Sequence, residues 1–468
     1  MEENTSYNFF LDYKDNRQTK TSVCLSQLIM ISPLISGIML SLTYLIFGER
    51  FTLFHMNLLC IVITFFTLII VGFAIDFRKA QNIKQNFSIK SIKERTKQSP
   101  EALLIICSFL WMIFAGFFAP NFPSDFDVSA TLSDGTYYQE GLIYFFVYII
   151  IFISAKNLHS NNAKKNCLIM FITTTTIVCI LTLFFHHKEL IFYWQNNTNW
   201  ANAFINSNHL GYVLCLSTSL LSVVFCLTKK IKTKVFIGFL LALHMFVCMF
   251  NDTLGSNLAI TFGIILLPIV FSIKSKKFDW PSFIPFVLWI AISYICIPLA
   301  KPMDSTYTNL LNQIVGVFKD LLQIAKDPVS EEAKLAGTNR WELWLDAFES
   351  IKKYPIFGDG NMIEKPHNEY LQFASHSGIL CVILYIAGLV VLMVKGIKYF
   401  KQLSPLSIAT LFTVMCYAIN AFFGNTKQYV YPFFMVILGF AINSLNQDIK
   451  KYKDNKVMNI SQEQNNAS

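Results

Sequence analysis

The run LLCIVITFFTLIIVGFAI at 58–75 contains no charged side chain, and this decides the solvent before it decides the fold. As a helix it rises about 1.5 Å per residue and nearly spans a hydrocarbon core of roughly 30 Å. Lipid offers no hydrogen bonds, so each such run must pair its own N–H and C=O groups, which a helix does. Comparable runs recur along the 468 residues, of which 54% are hydrophobic and 14% charged. Soluble domains carry roughly 25% charge. The expected fold class is an all-α polytopic membrane protein, with about twelve transmembrane helices.

Candidate spans fall at 25–47, 54–75, 102–119, 141–155, 167–185, 209–227, 235–250, 257–273, 282–299, 377–394, 405–423 and 428–445. The first 24 residues are polar and mixed in charge, so no cleavable signal peptide is expected. The connections alternate in basic content. Residues 76–101 hold Arg78, Lys79, Lys84, Lys90, Lys93, Arg95 and Lys97, while 120–140 hold no Lys or Arg and four acids. Lysines return at 228–234, 274–281, 395–404 and in the tail. The positive-inside rule therefore puts both termini in the cytoplasm. The net charge of +9 reads as this inner-leaflet signal, not as a nucleic-acid footprint. The 11 cysteines all lie in or beside apolar runs, without a CxxC pair, and read as small membrane hydrophobes.

The expected organisation is a tail at 1–24, spans one to nine over 25–299, a loop at 300–376, spans ten to twelve over 377–445, and a tail at 446–468. The rule places the loop outside, in a bacterial-type chain the periplasm. Within it, RWELWLDAFESIKKYP sets Trp341, Trp344, Leu345, Phe348 and Ile351 on one helical stripe. Asn339 is the expected cap, with Glu342 three residues on, and Pro355 the stop. PIFGDGN then turns the chain back toward the membrane.

Two loop residues stand out. The chain has five arginines, and Arg340 is the only one beyond residue 95. A guanidinium fork holds phosphate or carboxylate in a way that a lysine point charge does not. The plainer reading is an ion pair with Glu342 or Asp346. His367 follows Pro366 and is expected in the first turn of the helix that becomes span ten. A helix N-terminus favours neutral imidazole, which can accept a hydroxyl proton, and Asn368 or Glu369 could orient it. The plainer reading is an interfacial histidine. His376 falls on another helix face. Weaker candidates are the Asp125/Asp127 pair, His186, His187 and Lys188, and the amide-rich NWANAFINSNHLG at 199–211, which includes Asn208. No metal site and no cofactor are expected.

The order NR…PIFGDG…HNEYLQ…GI across 339–379 resembles the C-terminal core of the O-antigen ligase and polymerase family. There an Arg-bearing helix precedes a Pro-x-x-Gly-x-Gly turn and a His-Asn pair that leads into a span. His367-Asn368, nine residues and Gly378 are similar to the ligase signature His-Asn/Ser/Gln-x9-Gly. INSNHLG looks like the family's Asn-Pro-Asn stretch, with Ser207 in place of proline. Two positions depart: Ser256-Asn257 stands where members often carry Ser-Arg, and Cys381 replaces a final threonine.

The resemblance implies a membrane glycosyltransferase of the bacterial inner membrane. It would move a glycan from a polyprenyl-diphosphate carrier to an acceptor hydroxyl, such as lipid A-core, at the periplasmic face. It makes His367 the base and puts Arg340 on the diphosphate, with Asn368, Asn208, Lys188 and Lys301 touching substrate. A lysine such as Lys188, Lys301 or Lys427 would supply any second cation. The partners are the lipid-linked donor, the glycan acceptor and membrane lipid. A polymerase or a protein O-glycosyltransferase would share these residues. A transporter or flippase is the reading from another class, and the scarcity of mid-span ionisable groups (His244 is the clearest) weighs against it.

Overall fold

A computed structural model describes residues 26–31, 97–120, 142–185, 207–300, 310–360, 366–425 and 430–467. Among these residues the chain is helical and contains no strand. In order come α1 (Pro100–Gly116), α2 (Leu142–Lys156), α3 (Asn161–Phe185), α4 (Ser207–Leu227), α5 (Ile231–Phe250), α6 (Leu254–Ser275) and α7 (Ile284–Ala300). The loop contributes α8 (Leu310–Lys326), α9 (Glu331–Lys334) and α10 (Ala336–Lys353). Then follow α11 (Glu369–Ser377), α12 (Ile379–Lys398), α13 (Pro405–Asn420) and α14 (Tyr431–Ala467).

Each of the expected spans three to twelve contains a described helix; spans one and two lie outside the described residues, apart from a helical turn at 26–31. Among the described residues seven helices are long and apolar enough to cross a membrane. Two more are apolar but shorter, Pro100–Gly116 and Phe145–Lys156. The outward surface carries Phe239, Phe262, Ile269, Ile383 and Val390, all exposed, which is the surface that a lipid solvent accepts.

The core forms around α14 and α4. From Tyr431 to Ile442 α14 is buried on all sides, and Tyr417 of α13 stacks on its Phe434 with centroids 3.8 Å apart. The bundle also buries His244 of α5, between two hydroxyls. Thr176 Oγ1 lies 2.9 Å from His244 Nε2 and Ser217 Oγ 2.8 Å from Nδ1, and both hydroxyls also reach a backbone carbonyl of their own helix. The histidine thus ties α3, α4 and α5 together, with both ring nitrogens satisfied.

The Lys-bearing connections gather at one end. Lys395 pairs with the buried Glu101 at 2.9 Å and donates to Asn446 at 2.8 Å. Lys274 donates to the Leu403 carbonyl, and Ser404 caps α13 while its N–H bonds Asp448. Lys164 is fully buried and donates to Asn161, Asn443, Ser444 and Gln447. The loop helices lie at the other end.

Two expectations for the loop change. Its helix starts at Ala336, before Asn339, which therefore does not cap it. The backbone arrives from α9 already helical at Leu335, and the Asp320 carboxylate accepts an early N–H, that of Gly337 at 3.0 Å. The helix whose apolar face stays open is α8, with Leu311, Val315, Phe318 and Leu322 exposed along one stripe. On α10 Ala347 is fully buried and Trp341 donates to the Pro328 carbonyl, while Trp344 is half-buried and Phe348 is exposed.

Candidate functional site

On α10, Arg340 and Trp344 are one turn apart and share a face. Trp344 Nε1 donates to the carbonyl of Pro366 at 2.7 Å, the residue before His367. Arg340 Nη1 donates to the carbonyl of Phe423 at 3.1 Å, in the 3₁₀ turn that ends α13. One helix face thus grips both the His-Asn segment and the end of an expected span. The ion pairs expected for Arg340 do not form: Glu342 and Asp346 are exposed, and they act on Lys334. Arg340 has no carboxylate partner among the described residues. Burial lowers its pKa from the ordinary arginine value, with Tyr212 acting the other way. A partly desolvated guanidinium of this kind gains from an anion.

His367 lies before the helix, not in its first turn. Asn368 is the N-cap, its side-chain oxygen accepting from Tyr370 N at 3.0 Å and Leu371 N at 3.1 Å. The cap requires an extended residue, which Asn368 is, and His367 takes a left-handed φ of 49° to enter it. A non-glycine residue there stores about 1 kcal/mol. Asn368 therefore fixes the histidine through the backbone, because its oxygen is already engaged. Nor is this helix continuous with span ten: α11 ends at Gly378, and α12 starts after it.

That break explains the glycines of the motif. A Cβ on Gly378, where φ is 88°, would lie 1.9 Å from the Ile356 carbonyl oxygen. A Cβ on Gly358 would lie 2.3 Å from the carbonyl carbon of His376. Ile379 N donates to the Pro355 carbonyl and Asp359 N to that of Ser375. The PIFGDG turn and the end of α11 thus interlock backbone to backbone. Phe357 stacks on Trp111 and Phe118, while Trp111 Nε1 donates to the Ser377 carbonyl. The turn is pinned to α1.

Beneath His367, Glu369 is fully buried, accepting from Tyr385 at 3.1 Å and from Tyr417 at 3.0 Å. Tyr431 in turn donates to Tyr385 at 3.0 Å. One carboxylate thereby links α11 to α12, α13 and α14. Sequence reasoning names Glu369 but misses these phenols; the one signal is a tyrosine within each of three apolar runs. Tyr212 of α4 is missed as well; it is packed on Tyr417 and lies within electrostatic reach of Glu369 and Arg340.

Asn257, where the resembling family often has arginine, donates to Gln313 at 3.3 Å and ties α6 to α8. Asn208 lies in the first turn of α4, half-buried. Lys188, Lys301, Lys427, Asp125, Asp127, His186 and His187 lie outside the described residues. Among the described residues no group of three His, Cys, Asp or Glu side chains could hold a metal, and the cysteines are free. The class that fold and site define is a helical, membrane-type bundle with a polar, tyrosine-backed site at one end. No protein-family model matches the sequence, and no curated protein matches it closely enough to count as a relative.

Proposed function

We propose that this chain is an O-antigen ligase-like glycosyltransferase with twelve spans, both termini cytoplasmic, and its site at the periplasmic face of a bacterial inner membrane. It moves a glycan from a polyprenyl-diphosphate carrier to an acceptor hydroxyl, lipid A-core being the preferred acceptor. The acceptor oxygen attacks the anomeric carbon as the carbon–oxygen bond to the diphosphate breaks, which inverts that centre. His367 takes the acceptor proton, and Arg340 holds the departing diphosphate. General-base assistance of this type contributes roughly 10²–10⁴-fold.

The observation that supports this reading is the grip of α10. Trp344 holds the carbonyl before His367, while Arg340, one turn earlier, has no carboxylate partner among the described residues. A base and an anion-seeking cation are thus carried by touching elements. His367→Ala and Arg340→Lys should each abolish glycan transfer in cells while the protein still accumulates in membranes. Full transfer in either variant removes that residue's role.

A further inference from the structure

On and against the turn that Arg340 grips, two buried polar atoms have no partner among the described residues. The Tyr212 hydroxyl is in a residue 3% exposed and has no hydrogen-bond partner among the described residues. Leaving such a donor unpaired costs about 1–3 kcal/mol, and native proteins rarely carry one without a use for it. Immediately beside it runs the turn that Arg340 grips. A Cβ on Gly424 would lie 2.5 Å from the Tyr212 oxygen, so only a glycine leaves that hydroxyl room. The next residue, Asn425, is 8% exposed, and its side-chain oxygen also has no partner among the described residues. The turn 423–425 therefore assembles three unmet demands. Arg340 has used one N–H on Phe423, Tyr212 has a proton to give, and Asn425 has an oxygen to fill.

These demands differ in kind. A cation and a phenol donor suit an anionic oxygen. A lone amide acceptor suits a hydroxyl or an amide N–H. Phosphate alone would leave Asn425 unsatisfied, and a neutral sugar would leave Arg340 without its anion. Glu369 lies within electrostatic reach of Tyr212, and each of its oxygens accepts from a phenol, of Tyr385 and Tyr417, on the side of α12 and α13.

We propose that Tyr212, Arg340 and Asn425 form a subsite for a glycosyl phosphate ester. Phosphate oxygen accepts from Tyr212 and Arg340, while a hydroxyl or amide of the first sugar donates to Asn425. The inference rests on the proposed reaction for the choice of a lipid-linked donor. It adds to that reaction the residues that read the junction between phosphate and sugar.

Titration of the full-length protein in detergent tests it, using farnesyl diphosphate and farnesyl diphosphate esterified with N-acetylglucosamine. Tyr212→Phe should weaken both ligands about tenfold, yet melt at the same or a higher temperature without ligand, because the hydroxyl gives up no internal bond. Asn425→Ala should leave farnesyl diphosphate unchanged and erase the extra affinity of the sugar conjugate. Unchanged affinity in Tyr212→Phe overturns the subsite, as does a lower melting temperature with binding intact. Failure of the wild-type protein to bind either probe overturns both the subsite and the reaction. The expected pattern of binding without glycan transfer overturns the reaction alone.

Discussion

At the scale of single residues, the site is a set of constraints placed on His367. Its left-handed backbone limits what can stand there: glycine takes a φ of 49° without strain, so His367→Gly should abolish transfer while the protein still accumulates in membranes, and lost accumulation would mean that the imidazole also holds the turn. Glu369 is the second constraint. Glu369→Gln turns a carboxylate that accepts two phenol protons into an amide with one acceptor oxygen, and should cost about 1–3 kcal/mol. Adding Tyr385→Phe should cost less than the sum of the two single changes, since they share one bond; additivity would show that they do not. Arg340 and His367 stand out in the sequence because each is a rare residue type in a motif. Tyr212 and Asn425 are not, because each matters only through what the other spans bring beside it. Nothing in GYVLC or GNTK marks an unpaired polar atom.

The element scale explains why the motif has its spacing. Nine residues separate Asn368 from Gly378 because a short helix, α11, must run from its cap to the point where the PIFGDG turn crosses it. Gly378→Ala places a methyl group on the Ile356 carbonyl and should cost on the order of 2–4 kcal/mol, seen as lost accumulation in membranes. Normal accumulation and melting of this variant would refute the interlock. The sequence shows the loop helix and its stop at Pro355, since the periodicity and the proline are local signals. Its start is misread, because the donor of Gly337 is met by Asp320, seventeen residues upstream. Periodicity alone also says that α10 has an apolar stripe, but not whether lipid or protein covers it. Both tryptophan N–H groups of α10 are bonded to carbonyls while its Phe348 stays exposed, so protein covers the stripe in part, and α8 has the longer open face.

At the scale of the whole molecule, charge patterning and contacts agree. The connections that the positive-inside rule groups together do meet, through Lys395 with Glu101, Lys274 with Leu403, and Ser404 with Asp448. Lysine content alone thus groups connections that the fold brings to one end. Lys395→Met takes the cation from the buried Glu101, which keeps Ser99 and Asn446 as donors, and should cost about 1–3 kcal/mol, with much of it recovered on adding Glu101→Gln. Equal melting of the single and double variants would contradict this. The central burial of α14 was not legible: its apolar stretch is short, and an all-round apolar helix reads alike in lipid and in a core. The reaction itself is tested most directly by purified protein in liposomes, given a prenyl-diphosphate-linked glycan and a lipid A-core acceptor. Glycan joined to the acceptor by the wild-type protein, and not by Arg340→Lys or His367→Ala, is the predicted result. Movement of the lipid-linked glycan across the bilayer without transfer would contradict it.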